Sequence, residues 1–201
     1  MENESVVYVI DDDASVRKSL ERLIRSAGFD VETFASAQDF LSYHPPDHPG
    51  CLVLDVKMPG ITGLDLQEKL TAVHRPIPII FITGFGNVPA SVQAMKAGAV
   101  DFLEKPFEDE TLLEAIRRAI DHDVQYRQRN NELMAIRKRS DSLTKREGEV
   151  FALVVTGMLN KQIAFELGIT EKTIKVHRAR IMQKMGVQSL ADLVRLAERL
   201  K

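Results

Sequence analysis

Four places in the 201-residue chain carry groups that could do chemistry together. Asp11, Asp12 and Asp13 follow an apolar run at 6–10 (VVYVI), and Asp55 follows one at 51–54 (CLVL). Thr83 follows a third run at 77–82 (IPIIFI), and Lys105 stands just before Pro106. Apolar runs of this length read as strands buried on both faces of a parallel sheet, so each group sits at a strand end. If the first and third strands are neighbours, the carboxylates of Asp11, Asp12 and Asp55 converge. Two unit charges about 4 Å apart repel by about 4 kcal/mol at an effective dielectric near 20, so such a cluster needs a cation or protonation. Oxygen ligands without His or Cys favour Mg²⁺, which binds one or two carboxylates and keeps positions for water and phosphate. Carboxylate, Mg²⁺, hydroxyl and ammonium at one rim suit phosphoryl transfer, with one Asp as the nucleophile that becomes an aspartyl phosphate. Asp13 reads differently, as a cap on the helix that follows, where negative charge is favourable.

The elements that must position these groups alternate. Weaker strand candidates lie at 30–34 and 100–103, and helical spacing marks 14–27, 36–43, 63–73, 88–98 and 108–122. Gly28, the Pro45-Pro46 pair, Pro76 and Gly98 end the helices. Five βα units predict a doubly wound parallel sheet whose ligands sit beyond the C-terminal strand ends. From Asp109 to about Arg139 no Gly or Pro interrupts the chain, so one long helix is expected to leave this domain. Residues 124–140 read as a solvated linker helix or a partly disordered tether, with too few apolar residues for a coiled coil.

The last 60 residues read as four helices, at 144–156, 160–167, 171–185 and 189–200, opened by a Thr144/Glu147 capping box and punctuated by Gly157, Gly168 and Gly186. A short helix, the turn Gly168-Ile169-Thr170 and a longer basic helix form a helix-turn-helix pattern. At 100° per residue, Ile174, Ile181 and Met185 share a stripe on the longer helix, flanked by His177 and Arg178. The opposite face collects Lys172, Lys175, Val176, Ala179, Arg180 and Gln183. Lys and Arg pair with phosphates or guanine edges, and Val176 and Ala179 could touch thymine methyls in a major groove. His177 reads as a packed or hydrogen-bonded structural residue.

The net charge of −2 hides an asymmetry: residues 1–123 carry −10, residues 124–140 carry +4 and residues 141–201 carry +4. A basic back half points to nucleic acid. No run of 18 apolar residues and no signal-peptide pattern is present, so a cytoplasmic protein that engages no membrane is expected. The single cysteine, Cys51, reads as a small core residue.

The stretches VIDDD at 9–13, LDVKMPGITGLDL at 54–66, ITG at 82–84 and DFLEKPF at 101–107 resemble the receiver domain of bacterial two-component response regulators. That resemblance implies Asp55 as phosphoacceptor, Asp11 and Asp12 as the acidic Mg²⁺ pair, and the Lys57 backbone carbonyl as a further metal ligand. It also implies Thr83 and Lys105 as phosphoryl-binding groups and a cis Lys105-Pro106 bond. The family's switch aromatic falls on Phe102, which has no hydroxyl, so only ring rotation can operate there. The stretches LTKREGEV at 143–150, NKQIAFELGIT at 160–170 and TIKVHRARIMQKMGVQS at 173–189 resemble the LuxR-type (GerE-type) DNA-binding domain, and the whole chain is similar to the FixJ/NarL group, FixJ-like members above all. By that likeness Lys161 lies near phosphates, Lys175 and Val176 read the groove, and helix 189–200 pairs two DNA-binding domains; Lys172, Thr173, Ala179 and Arg180 complete the set of expected DNA-contacting residues.

Taken together, these readings predict a five-stranded α/β doubly wound receiver at 1–122, a linker helix at 123–140 and an all-α four-helix helix-turn-helix domain at 141–201. The resemblance implies a sensor histidine kinase as phosphoryl donor and a homodimer formed on phosphorylation through roughly 88–118. Promoter DNA with an inverted repeat and RNA polymerase are the remaining implied partners. A different class of function, a Mg²⁺-dependent aspartyl phosphotransferase on small substrates, fits less well. Such enzymes place nucleophile and acid close together as D-x-D, whereas here the acidic pair and Asp55 lie more than 40 residues apart.

Overall fold

The structure, a computed structural model, describes residues 5–44, 47–73, 77–84 and 88–200. Two compact units divide it, residues 1–127 and 128–201. Pro45, Pro46 and Pro76, expected to end helices, lie outside the described residues.

In the first unit, strands β1 (Val6–Ile10), β2 (Asp30–Phe34), β3 (Gly50–Asp55), β4 (Ile79–Thr83) and β5 (Asp101–Glu104) form one parallel sheet in the order β2-β1-β3-β4-β5. Helices α1 (Ala14–Ser26), α2 (Ala37–Ser42), α3 (Gly63–Ala72) and α4 (Val88–Lys96) alternate with the strands. The period of two sorts strand side chains onto two cores. Val7, Val9, Cys51, Val53, Ile80, Ile82 and Leu103 pack with α1 and with the helix that follows β5, while Tyr8, Ile10, Leu52, Leu54, Ile79 and Phe81 pack with α2, α3 and α4. β4 starts two residues later than the apolar run at 77–82, because Pro78 has no N–H to give the ladder; its carbonyl still accepts from Leu52 at 2.8 Å. The order reverses direction at β1 and β3, the switch point beyond which a doubly wound sheet opens a crevice.

Helix α5 (Asp109–Asp141) is unbroken. Its first turns bury Leu112, Leu113, Ala115, Ile116, Ala119 and Ile120 in the first unit. Of the two readings of residues 124–140, linker helix or partly disordered tether, the helix is what forms, to Asp141, and it is not wholly solvated: Ile136, 4% exposed, belongs to the core of the second unit. That core also gathers α6 (Lys145–Val154), α7 (Asn160–Leu167), α8 (Glu171–Met185) and α9 (Leu190–Glu198). Between α7 and α8 the chain turns at Gly168, whose φ of 64° is left-handed and favours glycine. No helix among the described residues is long and apolar enough to cross a membrane.

Candidate functional site

β1 and β3 are paired with Ile10 opposite Leu54, so the next residues, Asp11 and Asp55, leave the sheet side by side at its C-terminal edge. Both are buried. Lys105 follows β5, and its Nζ donates to Asp11 Oδ2 at 2.8 Å and to Asp55 Oδ1 at 2.9 Å. One ammonium thus offsets the repulsion of two carboxylates. Asp55 Oδ2 accepts the Lys57 N–H at 2.7 Å, and Asp11 Oδ1 accepts the Asp13 N–H at 2.9 Å. Burial pushes the Asp55 carboxyl above the usual carboxylate range, against the hydrogen bond from Lys105. Burial also works against the charge of Lys105, but its bonds to Asp11 and Asp55 carry its pKa above the ordinary lysine value.

The backbone holds these groups in register. Lys105 N–H donates to the Thr83 carbonyl at 2.7 Å, which fixes the residue after β5 against the last residue of β4. Thr83 itself is buried. Gly63, at the start of α3, is tucked against Asp55: a Cβ there would lie 2.4 Å from the Asp55 carbonyl oxygen, so a side chain would push the helix off the strand end. The Lys105-Pro106 bond is cis. Phe102 lies opposite Phe81 across β4 and β5, with ring centroids 6.0 Å apart, half-buried against the α2–α4 core.

Of the three carboxylates expected to converge, two do. Asp12 is exposed, and among the described residues no group of three His, Cys, Asp or Glu is placed to hold a metal ion. The Lys105 ammonium neutralises the Asp11–Asp55 pair instead. Asp13 caps α1, accepting from the N–H groups of Ser15 at 2.7 Å and Val16 at 3.3 Å. Lys57 is exposed in the loop after β3. Sequence reasoning passed over Arg17, whose Nη1 donates to the Asp11 carbonyl at 2.6 Å; it stands one turn into an amphipathic helix, where nothing in the spacing sets it apart.

In the second unit, α8 buries Ile174, Ile181 and Met185 completely and leaves Lys172, Lys175, Val176, Ala179 and Arg180 exposed. Thr170 caps it by accepting from the Thr173 N–H at 3.2 Å. Lys161 is exposed in the first turn of α7. Arg178 is spent on the protein, its Nη1 donating to Asn160 Oδ1 at 2.7 Å and tying α8 to the start of α7. His177 is half-buried, and its Nδ1 has no hydrogen-bond partner among the described residues. Glu147 does more than cap α6: beside the Thr144 N–H it accepts from Lys184 Nζ at 2.6 Å.

Residues 7–117 match the response regulator receiver domain family, and residues 141–197 match the bacterial regulatory proteins of the luxR family. The response regulator protein TodT of Pseudomonas putida is 50% identical over 197 residues, 98% of this chain and 87% of that protein. The transcriptional regulatory protein FixJ of Rhizobium meliloti is 46% identical over 191 residues, 95% of this chain and 94% of that one. The solved structure of the response regulator StyR is 52% identical with a TM-score of 0.89, covering 98% of this chain and 99% of its own. The pairing of a sheet-edge acidic pocket with a helix-turn-helix unit therefore has a plain meaning: the chain belongs to the response regulators in which a receiver domain precedes a luxR-type DNA-binding domain.

Proposed function

We propose that Asp55 is the phosphoacceptor and that its phosphorylation by a sensor histidine kinase controls binding of α8 to promoter DNA. The observation that carries this reading is the Lys105 Nζ bridge to both Asp11 and Asp55 at the switch point of the sheet. In the transfer, a carboxylate oxygen of Asp55 bonds to phosphorus as the bond from phosphorus to the kinase histidine nitrogen breaks, that nitrogen keeping the electron pair. Lys105 is placed to follow the developing charge from carboxylate to phosphoryl oxygens, and the Thr83 hydroxyl is the neighbouring donor on β4. The donor set of carboxylates with no His or Cys fits Mg²⁺, with Asp11, Asp12, Asp55 and the Lys57 carbonyl as the residues that would hold it. When bound, the ion supplies charge neutralisation of the phosphoryl oxygens.

Phosphorylation replaces a charge of −1 by about −1.5 to −2 with new acceptor oxygens. Thr83 and Lys105 turn toward them, and the Phe102 ring follows into the space on β5. The face affected carries an apolar stripe on α4, Val88, Val92 and Met95, at 74%, 46% and 47% exposure and at helical spacing. This stripe supports dimerisation through α4, β5 and α5. A dimer presents two α8 helices to an inverted repeat, with Lys161, Lys172, Thr173, Lys175, Val176, Ala179 and Arg180 facing DNA and RNA polymerase as the downstream partner in the cytoplasm.

The test is labelling by acetyl phosphate with Mg²⁺, followed by binding selection on random duplex DNA. The wild type is expected to label and to enrich an inverted repeat, and Asp55→Ala to do neither phosphate-dependently. An Asp55→Ala chain that still labels would place the phosphoacceptor elsewhere.

A further inference from the structure

The last turns of α5 and α8 hold each other. A helix leaves its final carbonyls without intrahelical partners, and cations are favoured there. Arg139, in the last turn of α5, donates from Nη1 to the carbonyl of Met185, the last residue of α8, at 3.2 Å. Lys184, in the last turn of α8, donates from Nζ to the carbonyl of Ser142, the first residue beyond α5, at 3.0 Å. The Ser142 hydroxyl in turn donates to the Arg139 carbonyl at 2.6 Å, which closes the contact into a ring.

From this reciprocal arrangement we infer that Arg139 is a positioning residue for DNA reading, setting the seat of α8 from its far end. The inference rests on the reading that α8 is the helix that meets DNA. Fifteen residues at 1.5 Å each separate the two ends of α8 by roughly 20 Å, so Arg139 stands at the end opposite Lys172 and Lys175. Its effect on reading passes through the orientation of the helix and not through contact with a base.

Other groups hold α8 elsewhere and leave this role distinct. Ile174 and Ile181 fix its buried face, and Arg178 pins its middle to Asn160. On the α5 side, Ile136 lies one turn before Arg139 in the same core, and Glu132 pairs with Arg199 at 2.7 Å, so the end of α5 is itself anchored. The C-terminus of α8 is thereby tied to the end of α5 within the second unit. Residues 128–141, in sequence a linker, become part of the DNA-reading apparatus.

The experiment uses the full chain and two duplexes, one enriched by the wild type from random DNA in the presence of acetyl phosphate and one a scramble of the same composition. Arg139→Gln is expected to weaken binding to the enriched duplex about 3- to 10-fold, the scale of one partly exposed charge-assisted hydrogen bond. Affinity for the scrambled duplex, the salt slope on it and the helical circular dichroism are expected to stay at wild-type values. Arg139→Lys, which keeps a donor for the Met185 carbonyl, is expected to recover most of the loss. Equal weakening on both duplexes, with a shallower salt slope, makes Arg139 a phosphate contact and overturns the proposal, as does no change on either. Lys175→Ala run in parallel separates the two failures. If it loses selectivity while Arg139→Gln does not, the latch alone is wrong; if it has no effect, α8 is not the reader and the latch falls with it.

Discussion

Asp123 and Arg127 form an ion pair one helical turn apart in α5, and the same Asp123 oxygen reaches the sheet. Oδ2 accepts the Arg127 Nε–H at 2.7 Å and the Gly50 N–H at 3.0 Å, at the end of β3 opposite Asp55. The Asp123 side chain is 2% exposed and that of Arg127 32%, and Arg127 also pairs with Asp47. Breaking a buried pair by deleting one member leaves the other group's partners unsatisfied, which costs about 3–5 kcal/mol. Asp123→Ala is therefore expected to lower the urea midpoint of the receiver strongly. Asp123→Asn, which keeps an acceptor for Gly50, is expected to lose less. Equal stability of Asp123→Ala and wild type would show that the pair contributes nothing net.

Lys105 opposes the burial that raises Asp55. Its removal is expected to move the Asp55 carboxyl further up, since the carboxylate keeps its desolvation and loses its ammonium. If Asp55 is the phosphoacceptor, as proposed, labelling requires its ionised carboxylate and is lost as pH falls through the Asp55 pKa. The pH midpoint of acetyl phosphate labelling in Lys105→Ala is thus expected above that of the wild type, along with a lower rate. A midpoint at or below the wild-type value contradicts the placement of Lys105 as the counter-ion.

Much of this was legible along the chain, for a physical reason. A strand buried on both faces must be apolar throughout, so VVYVI and CLVL announce themselves, and the first polar residue after each, Asp11 and Asp55, marks the sheet edge. The face of α8 is equally readable, because Ile174, Ile181 and Met185 recur at helical spacing. Contacts made by single long side chains were not. Nothing near Lys105 shows that it bridges residues 50 and 94 positions away, and Ile136, at the end of the short run Leu133-Met134-Ala135-Ile136, belongs to no sustained helical stripe. Asp123 looks like any acidic residue on a solvated helix until β3 is laid against it.

Cys51 lies in the middle of the sheet with no exposed surface, and burial, with Asp123 adding to it, pushes its thiol well above the ordinary range. The thiolate is the reactive form, so both access and ionisation are denied. Native protein is expected to leave an aromatic disulfide reagent unreacted over hours at pH 8, and unfolded protein to react one thiol at once. Rapid native reaction would mean that β3 opens readily.

Glu147 gives the second unit its own acid sensitivity. The hydrogen bond from Lys184, with the Thr144 N–H, holds its carboxyl down to about 2 from an ordinary 4.5. A carboxylate depressed by folding stabilises fully above its unfolded pKa, and that contribution drains away as pH falls from about 4.5 toward 2. Glu147→Gln is expected to melt below wild type at pH 7, with the gap narrowing through this window. A gap that is constant with pH would assign the loss to the cap geometry and not to the charge.

The boundary of the DNA-binding fragment offers the sharpest check on the role of the α5 end. A fragment starting at residue 141 omits Ile136, the Arg139 bond to Met185 and the Glu132–Arg199 pair, whereas one starting at 128 keeps all three. Removing a buried isoleucine side chain alone costs about 2–5 kcal/mol, a large share of what a unit this small can hold. Fragment 128–201 is expected to melt cooperatively and fragment 141–201 at a clearly lower temperature with a broader transition. The Ile136→Ala change in the longer fragment is expected to reproduce most of that loss, because the apolar contact outweighs the two exposed polar ones. Indistinguishable melting of the two fragments would return residues 128–140 to the status of a tether.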